Sequence, residues 1–347
     1  MQYREIGRTG LKSHPFSLGT MTFGTQTDEA DAHRQLDMAV DAGINLLDTA
    51  EIYPVNPMSA KTAGDSERIV GNWIQKSGRR KDVLIATKVA GSGAKAVRNG
   101  LPISSETISV AVEGSLHGLK TDVIDIYQLH WPNRGSYHFR QNWTFNPTTQ
   151  NSAETVDHIG EVLHTLGKLV DAGKIRHIGL SNESAWGTAQ FLRIAEENGL
   201  PRVATIQNEY SLLCRHYDLD LAELSHHEDV GLLAFSPLAT GILTGKYSGN
   251  TIPDGSRRSV TPELGGRLSP TSLSTADEYV AVAQKHGIDP VHLALSFCTS
   301  RPFMAAAIVG ATDADQLAHL LKGADLVLSE EILADIQAIY RRTPMPM

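Results

Sequence analysis

Short runs of aliphatic and β-branched residues recur along this chain, separated by stretches whose apolar positions follow helical spacing. The runs fall at 15–20, 45–50, 83–89, 123–130, 175–181, 204–208, 231–236 and 305–310. Helical periodicity fills the gaps at 30–42, 67–75, 105–119, 155–172, 185–198 and 219–227. Several of these segments stop at a glycine, as in Asp41-Ala42-Gly43, Asp171-Ala172-Gly173 and Glu197-Asn198-Gly199, because glycine closes a helix in the left-handed conformation at little cost. Strand and helix in alternation imply right-handed βαβ units and a parallel sheet.

Eight such units predict an α/β fold of one domain, 1–347, closed as a (β/α)8 TIM barrel that delivers the C-terminal end of every strand to one rim. The alternative is an open doubly wound sheet. Its usual dinucleotide fingerprint, G-x-G-x-x-G between first strand and first helix, is absent, since after Leu18 the chain reads Gly19-Thr20-Met21-Thr22-Phe23-Gly24. Before the first barrel strand, Arg8-Thr9-Gly10 lies between two strand-like stretches in residues 2–12, which predicts an N-terminal β-hairpin plugging the barrel floor. After residue 312 come an amphipathic helix and a second one at 329–341, predicted to cap the barrel. Two stretches break the rhythm, 131–152 and 240–274, both rich in Gly, Pro, Ser and Asn. Both follow strands, so both belong to the rim that carries function.

Composition narrows the functions. Hydrophobic residues make up 41% of the 347 and charged residues 20%, the balance of an ordinary globular protein. The net charge of -8 and the absence of any basic cluster denser than Arg79-Arg80-Lys81 or Arg257-Arg258 argue against a nucleic-acid partner. Those basic groups are expected in solvated loops. No apolar run approaches the roughly 20 residues that span a bilayer, and the segment opening Met1-Gln2-Tyr3-Arg4-Glu5 lacks a signal-peptide core. A cytosolic protein without a membrane partner is expected. Cys214 and Cys298 are the only cysteines, too few for a disulfide framework or a zinc spacing, and are expected to be reduced. Nothing in the pattern assigns an oligomeric state.

The chemistry lies where the runs end. Asp48 closes one run, Lys88 a second and His130 a third, while Tyr53 follows Asp48 by five residues on the loop above. Taken singly each has a structural reading: Asp48 caps a turn, Lys88 snorkels, Tyr53 packs and His130 hydrogen-bonds. Together they supply a proton donor, two groups that tune it and a carboxylate that holds one of them. An ammonium at about 4 Å contributes up to roughly 4 kcal/mol at an effective dielectric near 20, about 3 pK units, which would bring a phenol close to neutrality as a general acid. Other rim positions are polar as well: Ser181-Asn182, Gln207-Asn208, Ser236 and Gly310 suit an amide and phosphates. Phe235-Ser236-Pro237-Leu238, with Gly241, Gly245 and Lys246, combines an aromatic face with a flexible basic loop. Ser181-Asn182 serves equally as a cap for the helix beginning near Ser184. There are 14 histidines but no H-x-x-x-H or H-E-x-x-H pair, so no metal is expected.

These residues resemble the aldo-keto reductase superfamily over nearly the whole chain. The marks are Gly43-Ile44-Asn45-Leu46-Leu47-Asp48-Thr49-Ala50-Glu51-Ile52-Tyr53, Thr87-Lys88-Val89, Asp122 through Pro132 with His130-Trp131, and Gly173-Lys174-Ile175-Arg176-His177-Ile178-Gly179-Leu180-Ser181-Asn182. The loop after Trp131 and the segment Thr205 through Leu213 look most like the bacterial Tas branch. The resemblance implies an NADP(H)-dependent oxidoreductase that reduces small-molecule aldehydes and ketones. It implies Tyr53 as acid, Lys88 as its modulator, Asp48 as the partner of Lys88, and His130 as the group orienting the carbonyl. For the cofactor it implies Gly19, Thr20, Met21, Ser181, Asn182, Gln207, Phe235, Ser236, Leu238, Gly241, Lys246, Gly310, Thr312 and Gln316, with Trp131 on the substrate side. Tyr137, Phe139, Trp143 and Phe145 either extend that wall or pack on one another.

The stretch Val309 through Leu320 departs from the pattern. Gln316 stands where an Arg is common and Leu320 where an Asn is expected, and no Lys or Arg occurs before Lys322. Preference for NADP is thus inherited from the family, and use of NAD stays open. Two further readings compete: a cofactor-sensing regulatory protein resembling potassium-channel β subunits, and a Schiff-base lyase using Lys88.

Overall fold

The computed structural model describes residues 2–347. Eight parallel strands close into a barrel in chain order: β3 (Phe16–Gly19), β4 (Leu46–Asp48), β5 (Leu84–Val89), β6 (Ile124–Leu129), β7 (Ile175–Ser181), β8 (Val203–Glu209), β9 (Gly231–Phe235) and β10 (Met304–Val309). The last strand meets the first, with Ala307 opposite Phe16 and Ile308 opposite Ser17. Each predicted run coincides with one strand. The hairpin is present too, as antiparallel β1 (Arg4–Glu5) and β2 (Lys12–Ser13). Its tip carries Ile6 into the barrel, where it is fully buried against Leu46, Ala86, Ile126 and Leu233. Arg4 donates to the Met304 carbonyl at 2.9 Å, which marks this end as the floor.

The outer ring comprises α1 (Glu29–Asp41), α2 (Asp65–Ser77), α3 (Ser105–Leu119), α4 (Ser152–Asp171), α5 (Ala185–Asn198) and α6 (Asp220–Glu228), all predicted to within a few residues. A short turn α7 (Arg257–Val260) precedes α8 (Pro270–Lys285) and α9 (Pro290–Thr299), and α10 (Ala314–Lys322) and α11 (Glu330–Arg342) complete the chain. The loop expected to run to Ser274 ends earlier, because Ser269 and Ser272 form a capping box and Pro270 sits in the first turn. Helix α9 starts in the same way, with Asp289 as cap followed by Pro290. Its fully buried Leu293-Ala294-Leu295 stretch blurs the periodicity. Helix α10 packs on α1 and so closes the ring, whereas α11 lies outside it against α8.

Side chains alternate along each strand. Leu47, Ile85, Tyr127, Ile178, Ile206 and Leu232 point outward into the helix layer, while Leu46, Ala86, Ile126 and Leu233 fill the barrel. Helices α2 and α3 approach closely at Gly71, where an added Cβ would lie 2.2 Å from the Gly118 carbonyl oxygen. Gly160 in α4 has open space instead. Alanine gains about 1 kcal/mol over glycine in a helix interior, so Gly160→Ala is expected to stabilise by about that amount. Gly71→Ala is expected to destabilise by about 1–3 kcal/mol, since overpacking outweighs propensity. Urea unfolding of the two variants checks the opposite signs.

Candidate active site

Strand register sets the layer above the apolar filling. Asp48 stands opposite Ala86, Lys88 opposite Gln128, Gln128 opposite Gly179, and Ser181 opposite Gln207. Lys88 is fully buried, and its ammonium is satisfied by the Asp48 carboxylate at 2.7 Å and the Thr49 carbonyl at 2.7 Å. The Tyr53 hydroxyl lies 3.4 Å from the same Nζ, which also sits 4.7 Å from the centre of the phenol ring. The 49–53 segment is stitched onto β5, with Thr49 N–H on the Ala86 carbonyl at 2.9 Å and Glu51 N–H on that of Lys88 at 3.3 Å. That stitching brings Tyr53 over Lys88. His130 extends β6, its backbone N–H bonded to the Val89 carbonyl at 2.9 Å, and its ring meets Tyr53 edge-on at 5.8 Å between centres. All four residues expected to carry proton transfer therefore converge on one rim.

Burial, more than charge, governs their protonation. It raises Tyr53 above the ordinary phenol value despite the opposing pull of Lys88. The expectation of a phenol near neutrality does not hold, because desolvation of the phenolate outweighs the Coulomb term. Burial pulls Lys88 down, but Asp48 and Tyr53 together hold its ammonium above the usual lysine value. His130 falls well below the ordinary imidazole value through burial and then the Lys88 charge, and its Nδ1 is buried without a hydrogen-bond partner among the described residues. At neutral pH the rim thus presents a protonated phenol, a protonated amine and a neutral imidazole.

The residues matched to a cofactor divide into those that face the cleft and those that do not. Ser181 gives its hydroxyl to the Gln207 carbonyl at 2.8 Å. Asn182, in a left-handed backbone conformation (φ 52), donates its amide to the His130 carbonyl at 2.9 Å, while its Oδ1 is buried without a partner. An orphaned buried acceptor beside the tetrad suits an incoming amide N–H donor. Gln207 is already engaged, its amide nitrogen 2.7 Å from Asp48 Oδ1 and 3.2 Å from Gln128 Oε1. Thr20 is fully buried and spends its hydroxyl on the Asp48 carbonyl and Ser66, so its side chain faces the wall and not the cleft. Met21 and Trp131 pack beside Tyr53 and Ala50. Phe235 projects from β9 above Leu233, partly exposed at the barrel mouth.

Beyond Phe235 the chain is strained, with Ser236, Ala239 and Thr240 at φ of 54, 47 and 56. Such backbone clusters at ligand sites. Leu238 anchors this loop in the core, and Lys246 folds across Gly241, where a Cβ would lie 2.9 Å from its Cε. Gly19 and Gly310 adjoin at the β3 and β10 ends, 3.6 Å separating the Gly19 carbonyl from a Cβ built on Gly310. Gln316 turns back on its own helix start. Its amide donates to Thr312 and Asp313, both at 2.6 Å, so its polar group is spent on the start of its own helix. Leu320 is buried in the core.

Several rim residues escaped sequence reasoning. Glu209, at the end of β8 and 8% exposed, receives Arg267 through two bonds of 2.5 and 3.0 Å and Arg140 at 2.6 Å. One carboxylate thereby pins both long loops. The basic pairs expected in solvent are partly buried: Arg258 bonds the Thr251 carbonyl and Asn250, and Arg80 reaches Asp125 at 2.8 Å. Arg257 is half-buried, its Nε has no partner among the described residues, and its charge acts on Tyr53. Burial and the neighbouring Arg267 pull its guanidinium below the usual arginine value. An adjacent Arg-Arg pair looks solvated because sequence alone does not show loop folding. Of the loop aromatics, Phe139 meets Trp131 edge-on at 6.2 Å, whereas Tyr137 packs with Phe145 and His216. Cavities of about 390 and 580 Å³ under this loop share Arg134, Gln150 and Thr155 and contain none of the four tetrad side chains.

A closed parallel barrel with this rim defines a barrel oxidoreductase of the aldo-keto reductase class. A family model described as "Aldo/keto reductase family" matches residues 15–341, and the chain belongs to that family. It is 42% identical to "Protein tas" of Escherichia coli (strain K12), with 98% of each chain covered. It is 32% identical to "Uncharacterized oxidoreductase YrpG" of Bacillus subtilis (strain 168), over 98% of this chain and 96% of that one. A "Probable voltage-gated potassium channel subunit beta" of Oryza sativa subsp. japonica is 29% identical over 99% and 98% respectively. Among the described residues no helix is long and apolar enough to cross a membrane.

Removing one partner of a buried charge group costs about 3–5 kcal/mol, so Glu209→Gln is expected to loosen 131–152 and 240–274 together. Hydrogen exchange read on both loops checks this. A second expectation concerns Glu67 of α2, buried behind β5 and bonded to Thr87, whose carboxyl is pushed up to about 7, chiefly by burial. The unfolded chain ionises first as pH rises from about 4.5, so the contribution of Glu67 to stability is full below that pH and lost through about 7. Glu67→Gln is expected to stabilise by up to about 3 kcal/mol at pH 8 and to make little difference at pH 4.5. Denaturant titration at the two pH values checks it.

Proposed function

We propose that the protein reduces aldehyde and ketone carbonyls with a nicotinamide dinucleotide, and that Tyr53 gives the proton. The observation that carries this reading is the buried chain Asp48–Lys88–Tyr53 with neutral His130 beside it and the unpartnered Asn182 Oδ1 within the same rim. When bound, the reduced nicotinamide supplies hydride to the carbonyl carbon. Ser181 and Asn182 would hold its carboxamide, Phe235 its ring face, and Leu238, Gly241 and Lys246 its pyrophosphate. His130 orients the carbonyl oxygen, and Tyr53 protonates that oxygen as charge develops. Lys88 stays charged and stabilises the phenolate left behind, while Asp48 keeps Lys88 in place. The same bonds argue against an imine-forming lysine: Nζ is held by three oxygens and protonated above the usual range, the opposite of an activated amine.

The likeness to named channel β subunits supports a second reading, cofactor sensing, and one variant separates the two. Tyr53→Phe is expected to lower kcat for aldehyde reduction by about 10²–10⁴-fold while cofactor affinity, measured by fluorescence titration, is kept. Turnover undiminished in that variant would sink the assignment of the proton donor. Absence of turnover in the wild type with any of a panel of aldehydes, ketones and quinones would favour sensing.

NADP(H) is proposed as the cofactor by family. The 312–320 segment offers no cation for a 2′-phosphate, and a missing charge-assisted bond is worth about 1.5–3 kcal/mol. Discrimination between NADPH and NADH is therefore expected to be modest, within about tenfold. Parallel titrations decide, and tighter NADH binding would overturn NADP as the cofactor.

A further inference from the structure

We propose that Asp289, His292 and His319 form a binding site for one divalent transition-metal ion, Zn²⁺ foremost, that staples α9 to α10. Their donor atoms all lie within 4.8 Å of one another, Asp289 and His292 at the start of α9 and His319 in α10, and none belongs to the tetrad. Asp289 and His292 are each oriented by a bond through one of their two polar atoms. Asp289 caps α9 by accepting the Val291 N–H on Oδ1 at 2.8 Å, which leaves Oδ2 directed at His319 Nε2, 3.2 Å away. His292 Nε2 lies 2.8 Å from the His319 carbonyl oxygen. A carbonyl only accepts, so Nε2 carries the proton and Nδ1 carries the lone pair. A histidine that donates its second ring N–H to a backbone carbonyl is oriented as metal-binding histidines are. Gly323 makes room for this ring, since a Cβ there would lie 2.4 Å from His292 Cγ and Cδ2. The His319 ring stacks on it at 5.0 Å and 28°.

Tetrahedral zinc with bonds of about 2.1 Å separates its ligands by about 3.4 Å, so partly exposed side chains close the site by small rotations. A two-nitrogen, one-carboxylate set selects Zn²⁺, Co²⁺, Ni²⁺ or Cu²⁺ over Mg²⁺ and Ca²⁺, which prefer oxygen. Water would fill the fourth position. A second cluster, His286, Glu331 and Asp335, fails the same test. There Asp335 Oδ2 already accepts from Lys285 and His286, both at 2.7 Å, and an ammonium holds the cation position. No short motif marks the first site, because Asp289 and His292 are three apart and His319 lies on another helix.

The test uses the full chain, stripped with chelator and titrated with Zn²⁺ against a chromophoric chelator. One equivalent is expected to bind, with Mg²⁺ unable to compete, and Co²⁺ is expected to give a tetrahedral visible band. Asp289→Asn keeps the helix cap and is expected to weaken binding by about tenfold or more, as are His292→Ala and His319→Ala. His286→Ala is expected to leave it unchanged. Circular dichroism of the metal-free variants separates lost ligands from lost folding. Absence of saturable binding, or binding that survives all three ligand variants, overturns the site.

Discussion

A lysine ammonium inside a barrel has to be neutralised where it stands, and the rim is organised around that requirement. Lys88 has no access to water, and an unpaired charge there would be too costly to keep. Asp48 supplies the counter-charge from the neighbouring strand, and the Thr49 carbonyl supplies a further acceptor. Asp48 is buried in turn and takes Gln207 on its second oxygen, with Gln128 nearby at 3.4 Å. One compensated charge thus links side chains of β4, β5, β6 and β8. Tyr53 is the last member of this chain of dependence, because its position follows from the segment that β5 holds. The same burial that forces the pairing keeps the phenol protonated, the form a proton donor needs.

A second buried carboxylate organises what lies above. Glu209 meets two guanidinium groups, Arg140 and Arg267, that lie more than a hundred residues apart in the chain. Its inward position follows from strand alternation on β8, which also sets Thr205 and Gln207 inward. The loops are long and rich in small residues, so their ordering depends on few contacts, and a doubly bridged carboxylate is the strongest available. Arg257 in the same loop has no hydrogen-bond partner on its Nε among the described residues, although Arg258 beside it is tied to backbone and Asn250.

The barrel was legible because its strands and helices differ in period and because the polar residues that matter interrupt apolar runs at their ends. Asp48, Lys88 and His130 are visible as interruptions of that kind. What escaped depends on tertiary burial. The direction of the Tyr53 shift could not be read from the Lys88 charge, since desolvation of the phenol appears only once the loop is folded. Thr20 and Gln316 sit at the matched positions but turn their polar groups to Asp48 and to the α10 cap, and spacing does not specify rotamers. Glu209, Arg140 and Arg267 carry no local signal, because a carboxylate among Gln207-Asn208-Glu209-Tyr210 gains its meaning from arginines far along the chain. Helices α8 and α9 did leave signals, a Ser-Pro and an Asp-Pro start, which apolar or irregular surroundings concealed.

The two halves of the cleft are under different physical constraints. The Asp48–Lys88 end is built on inward positions of barrel strands, where any change of register or size disturbs a closed sheet and a buried ion pair together. The far half is made of a helix cap, Thr312-Asp313 with Gln316, whose groups bond one another and face the exterior. Substitution there disturbs little beyond one helix end. Loss of a basic group from that segment leaves the reacting end of the site intact. A chain that keeps the buried ion pair while departing at the surface cap is therefore what this architecture permits, and under the proposed reading its chemistry is more tightly constrained than its choice between NADPH and NADH.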